Sequence, residues 1–116
     1  MPQNQIRWYA PGTDSIPVSR REFEALDKDG QAGLLNQFKR LQRAEISLRN
    51  MRHLGDQLYE IRVEVRGNQY RATVYQDSPV HYIIFSCFHK KQRREQAEVK
   101  KAKARLKTWL ENKEPR

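Results

Sequence analysis

The chain has 116 residues, 37% of them apolar, and carries a net charge of +9 from 23 Lys and Arg against 14 Asp and Glu. That length supports one packed core and not two, so residues 1–116 are read as a single domain, and the charge favours a polyanionic partner such as nucleic acid. No stretch approaches the roughly 20 apolar residues that cross a bilayer, and the start MPQNQIRWYAPG lacks the charged head and apolar run of a signal peptide, so a soluble, cytoplasmic protein with no membrane partner is expected.

In chain order, IRWYA reads as a short edge strand that stops at Pro11-Gly12, with loop chemistry from Thr13 to Pro17. Ser19 followed three residues later by Glu22 has the form of a capping box, and Phe23 and Leu26 give the helix behind it an apolar side. The segment DKDG interrupts the pattern. A second helix opens at Asp29 or Gly30 and carries Leu34, Leu35, Phe38 and Leu41 on one stripe, which makes the two helices a hairpin. From Ala44 to Gln57 the periodicity fades, and His53-Leu54-Gly55-Asp56 reads as the turn feeding a strand that begins near Leu58.

Leu58 to Gln76 reads as two strands joined at Gly67-Asn68, with Tyr59, Ile61, Val63 and Val65 alternating onto one face and arginine on the other. With Gly67-Asn68 as the turn, Glu64 faces Arg71 and Arg62 is diagonal to it; with Arg66-Gly67 as the turn, Arg62 lies directly opposite Arg71. Both registers bring the two guanidinium groups together. The plain alternative is a Glu64–Arg71 pair on a wet face, worth under ~1 kcal/mol. Val80 to Phe88 is apolar at nearly every position, which predicts a central strand covered on both faces, paired antiparallel with its predecessor across the turn at Asp77-Ser78-Pro79. Cys87 within it, the only cysteine, is read as a buried thiol. A basic helix from about Arg94 to Asn112 closes the chain, with Val99, Ala102, Leu106 and Trp109 or Leu110 on its stripe. The sum is an α+β domain: N-terminal edge strand, two-helix hairpin, three-stranded antiparallel meander and C-terminal basic helix.

Residues 89–116 hold 11 Lys or Arg against 4 Glu, and so +7 of the +9. Lys90, Lys91, Arg93 and Arg94 leave the third meander strand beside the arginine face, and the resulting cationic concavity suits a phosphate. His53 and His81 are read as structural or exposed. No His or Cys spacing matches a metal site, and Asp56 and Glu60 are too few for a two-metal nuclease, so no metal or cofactor is expected. Tyr59, Tyr70, Phe85 and Trp109 are read as packing groups, and Tyr75 and Tyr82 as candidates to stack on bases.

The ordered run LYEIRV, NQYRATVY and VHYIIFSCFHKKQ, followed by a basic helix, resembles the RelE/HigB superfamily of bacterial toxins, and in particular its phage-derived HigB-like branch, over about Leu54 to Leu106. The resemblance implies a RelE-like fold and a toxin of a type II toxin–antitoxin system: a metal-independent, ribosome-dependent mRNA endoribonuclease. Its implied partners are mRNA on the ribosome, ribosomal RNA and a co-encoded helix-turn-helix antitoxin of the HigA type. Carried over by position, Arg62, Arg71 and Lys91 are the basic residues of the three meander strands, with Arg71 and Lys91 as phosphate clamps and Lys90 or Lys91 as base. Arginine stands at position 62 where RelE usually has lysine, and Ala97 stands where a tyrosine is expected, which leaves His89 as the remaining proton carrier. Arg93, Arg94, Lys100 and Lys101 are the RNA-binding candidates of the tail. A non-catalytic RNA-binding protein of the same fold is the alternative.

Overall fold

The computed structural model describes residues 3–11, 16–90 and 95–113. Its centre is a five-stranded sheet built from β1 (Gln5–Trp8), β2 (Arg52–Gly55), β3 (Leu58–Val65), β4 (Asn68–Ser78) and β5 (His81–His89), in the order β1-β5-β4-β3-β2. β1 is an edge strand, as its short apolar run predicts, and pairs parallel with β5. The other pairings are antiparallel. β5 takes the interior position that its continuous apolar run demands, with Tyr82 to Phe88 buried. Val80, placed in that run by the sequence reading, lies before the strand and is exposed.

Helices α1 (Val18–Glu24) and α2 (Lys28–Gln42) cover one face, and α3 (Glu95–Lys113) covers the other. The first face gathers Leu34, Phe38 and Leu41 of α2 over Ile61, Tyr70, Ala72, Val74, Ile84 and Cys87. The second sets Ala102 and Leu106 of α3 against Leu58, Tyr75, Ile83 and Phe85, with Trp109 packed beside them. A bulge opposite Thr73 and Val74 makes Phe85 an extra residue in β5. It shifts the alternation, so that Ile84 and Cys87, three residues apart, share the first core.

Several local expectations are corrected. Ser19 is not a cap: α1 starts after Pro17 with no side-chain cap, and the buried Ser19 hydroxyl instead accepts from the Tyr9 amide at 2.9 Å, tying the end of β1 to the helix. α2 opens at Lys28, earlier than Asp29 or Gly30, because the Asp27 carboxylate accepts the Gly30 amide at 2.9 Å as an N-cap. Leu35 falls off the buried stripe and is 41% exposed. His53 and Leu54 belong to β2 and not to a turn; the chain reverses at residues 55–57, where Gly55, Asp56 and Gln57 all have positive φ. The meander therefore has four strands, not three.

The β3–β4 turn is made by Arg66 (φ 53°) and Gly67 (φ 83°), so Val65 pairs with Asn68 and Arg62 with Arg71. Of the two registers open from sequence, the structure takes the second, and Glu64 faces Gln69 instead of Arg71. Tyr75 and Tyr82 are both buried and unavailable for stacking on bases; Tyr75 meets the rings of Phe85 and Trp109 edge-on.

Candidate active site

Period-two alternation sends Arg71 and its neighbours Glu60 and Arg62 toward the α3 side of the sheet, and β2 adds Arg52 opposite Glu60. The first residue of α3, Glu95, meets them. Arg71 Nη1 donates to Glu60 Oε1 at 2.9 Å and to Glu95 Oε2 at 3.0 Å, and its Nη2 donates to Gln69 Oε1. Arg52 Nη1 lies 3.0 Å from the same Glu95 oxygen and 3.7 Å from Glu60. Arg62 Nε stands 3.6 Å from Glu60, and Lys90 Nζ stands 3.8 Å from Glu95 Oε1. Four cations from four neighbouring strand segments thus surround two carboxylates. The Arg71 side chain is 1% exposed and Glu60 fully buried, whereas Arg52 and Arg62 are about half exposed.

The two carboxylates titrate apart. Burial, and then the hydrogen bond to Glu95, push Glu60 above its ordinary value, against the pull of Arg71 and Arg52. Burial opposes ionisation of Glu95 too, but the bond from Glu60 and the charges of Arg71, Arg52 and Lys90 outweigh it and hold Glu95 below its ordinary value. Two acids share one cationic cluster, one protonated more readily and one less. Glu60 Oε2 and Arg71 Nε are buried with no hydrogen-bond partner among the described residues.

Clefts flank the cluster. One of about 280 Å³ is lined by Arg62, Val63, Glu64, Gln69 and Arg71, and one of about 580 Å³ by Arg52, His53, Glu95, Val99, Lys100 and Lys103 among others. Among the described residues, no three His, Cys, Asp or Glu side chains stand together as a metal-ion group.

The sequence-derived candidates divide accordingly. Arg62, Arg71 and Lys90 come together. Lys91, Arg93 and Arg94 lie outside the described residues. His89 does not join them, because alternation turns its ring to the opposite face, where it stacks on Tyr70 with centroids 4.8 Å apart. Tyr70 donates to the Asp27 carboxylate at 2.8 Å, its phenol pushed up to about 12 by burial and by that bond. Lys100 lines the larger cleft, but Lys101 is spent within the fold, paired at 3.0 Å with Glu22 and 2.8 Å with Glu98. Sequence reasoning missed Arg52, Glu60 and Glu95. Glu60 alternates with Arg62 on the arginine face and was legible in principle; Arg52 needed β2, and Glu95 needed the docking of α3.

A mixed sheet with paired helices on one face and a terminal helix over a cationic patch on the other is the RelE fold. E. coli toxin RelE, solved as a mutant in the free state, superposes with a TM-score of 0.63 at 16% identity, over 90% of this chain and 98% of that one. The family model of the phage-derived protein Gp49-like family matches residues 21–107. The chain therefore belongs to the Gp49-like family, a family of RelE/HigB-like toxins. No curated protein sequence matches it.

Proposed function

We propose that this chain is a toxin that cuts mRNA on the ribosome and is silenced by a co-encoded helix-turn-helix antitoxin of the HigA type. The observation that supports the reading is the gathering of Arg52, Arg62, Arg71 and Lys90 around one spot on the sheet. Metal-free cleavage of RNA has the 2′-hydroxyl attack the adjacent phosphorus while negative charge builds on the phosphoryl oxygens, and converging guanidinium groups stabilise that charge where it forms. In this reading Arg71 and Arg52 hold the phosphoryl oxygens. Glu60, fully buried against Arg71, positions that arginine and does not reach the 2′-hydroxyl, so the base is one of Lys90 and Lys91. The O2′–P bond forms and the P–O5′ bond breaks. A cyclic phosphate remains on one fragment, and the other of these two lysines gives its proton to the departing 5′-oxygen. Arg93, Arg94 and Lys100 bind ribosomal RNA in this reading, together with the exposed flank of α3. The protein acts in the cytoplasm, with no cofactor.

The second reading, a non-catalytic RNA-binding protein, is favoured by one feature: Arg71 is already neutralised by two carboxylates. Induced expression with mapping of message 5′ ends separates the two. The nuclease reading predicts growth arrest with cut ends inside translated frames. Arg62→Ala and Lys90→Ala, which change side chains 53% and 36% exposed, each lower the yield of cut ends about tenfold or more while the thermal melt is unchanged. Arrest without cut ends establishes the second reading.

A further inference from the structure

Arg71 needs one carboxylate for neutrality and has one, Glu60, at 2.9 Å. A second carboxylate beside Glu60 is electrostatically unwelcome to it. Yet Glu95 is held there by Arg71 and Arg52 at 3.0 Å each on one oxygen and by Lys90 at 3.8 Å on the other. Its side chain is 21% exposed and bonds the 1% exposed Arg71, so it links that arginine to a more accessible part of the cluster. A carboxylate presents two oxygens and one negative charge, and the phosphodiester group of RNA presents two non-bridging oxygens and one negative charge.

We infer that the Glu95 carboxylate occupies the subsite of the substrate phosphate, and that RNA binds by displacing it from Arg71, Arg52 and Lys90. The inference rests on the nuclease reading for its substrate but not for its geometry. Arg71 lines the smaller cleft and Glu95 the larger, so the contact between them joins a residue of each cleft. The buried Nε of Arg71, without a partner among the described residues, supplies a further donor to an incoming phosphate. Glu95 belongs to the first turn of α3, so its side chain can swing toward solvent while Ala102 and Leu106 keep the helix docked.

The test is binding of a short fluorescein-labelled single-stranded RNA with 2′-O-methyl sugars, which is held without being cut. Glu95→Gln removes the competing charge with little change of shape, and Glu111→Gln, at the exposed far end of the same helix, makes the same change of net charge elsewhere. Glu95→Gln binds about tenfold tighter than wild type, while Glu111→Gln stays within about twofold. Equal gains in both variants, or none in Glu95→Gln, overturn the inference. The wild-type protein gives an independent readout by carbon-13 NMR of side-chain carboxyls: RNA moves the Glu95 resonance and raises its titration midpoint, and an unmoved Glu95 signal at saturating RNA overturns the inference even where the variant fails to fold. Cleavage is scored separately. Tighter binding by Glu95→Gln with no cut ends from any variant upholds the displaced carboxylate and removes the nuclease, whereas cut ends with no gain in binding remove only the displacement.

Discussion

Arg71 has two duties that pull on the same bonds. It is the most converged cation of the site, and it is also the counter-charge that lets Glu60 lie fully buried in a sheet. Arg71→Ala therefore tests folding before it tests chemistry. Breaking a buried pair by removing one partner costs about 3–5 kcal/mol, most of it the penalty on the charge left behind. Urea unfolding at pH 7 should show a loss of that size, and a loss under ~1 kcal/mol would mean that the cluster does not hold the sheet. The pH dependence has a definite sign. Because the folded pKa of Glu60 is raised, its contribution to stability is complete below the ordinary value of 4.5 and is lost as pH rises through the folded value, so the Arg71→Ala defect should shrink in acid. The same economy of space governs the other face. A Cβ on Gly30 would lie 2.6 Å from the Tyr70 ring, so the first turn of α2 needs glycine despite its helix propensity, and Tyr70 fits beneath it with its hydroxyl on Asp27.

At the scale of elements, the open half of β5 sets the demand. β1 pairs only with His81–Ile84, leaving Phe85 to His89 without a strand on that side. α1 and α3 supply the missing bonds through side chains: Glu22 accepts the Cys87 amide at 3.2 Å, and Arg105 donates to the Phe85 carbonyl at 2.6 Å. Arg105 also holds Glu22 at 2.7 Å, and Lys101 adds 3.0 Å. One carboxylate thus joins two helices across a sheet edge that would otherwise be open to pairing with another chain. Burial pushes Glu22 upward, but the hydrogen bonds from Arg105 and Lys101 outweigh it and hold its pKa below 4.5. A depressed carboxylate stabilises the fold above its ordinary pKa and loses that contribution as pH falls through the folded value. Glu22→Gln should therefore cost about 1–3 kcal/mol at pH 7 and progressively less below pH 4.5, as read from urea unfolding at several pH values; a cost that grows in acid would contradict the pairing.

For the whole molecule, the +9 charge overstates what faces solvent. Arg105 and Lys101 belong to the Glu22 network, and Arg71 to the Glu60–Glu95 cluster. Lys100 and Lys103 border the larger cleft beside Arg52, and Lys103 also lies 3.8 Å from Asp56, so in the proposed function Lys100 is the α3 cation expected to meet RNA. Association with RNA should fall steeply with salt, and Lys100→Ala should reduce the slope of log K against log salt by about 0.7, the amount for one phosphate of a single strand. Lys101→Ala should leave that slope unchanged and lower the thermal midpoint instead, since its charge is spent inside the fold. Equal slope changes in the two variants would show that Lys101 is free to meet RNA. Among the described residues no helix is long and apolar enough to cross a membrane.

The sequence by itself determined the interior strand β5, the edge strand β1, the stripes of α2 and α3, and the convergence of Arg62 with Arg71, because these depend on local periodicity and on a turn whose two possible registers both bring the arginines together. It also carried the family. Tertiary structure alone decided which charges meet. β2 has too few apolar residues to announce itself, so Arg52 was invisible. Ser19 and Glu22 looked like a cap because their spacing fits one, but both side chains are spent on β1 and β5. Glu95 has no signal in the sequence beyond its place in the basic helix, and only the docking of α3 brings it to Arg71. A side chain's spacing along the chain fixes the face it points to; what that face touches is set by packing between elements far apart in sequence, and in this protein that packing sets the charges of the candidate site.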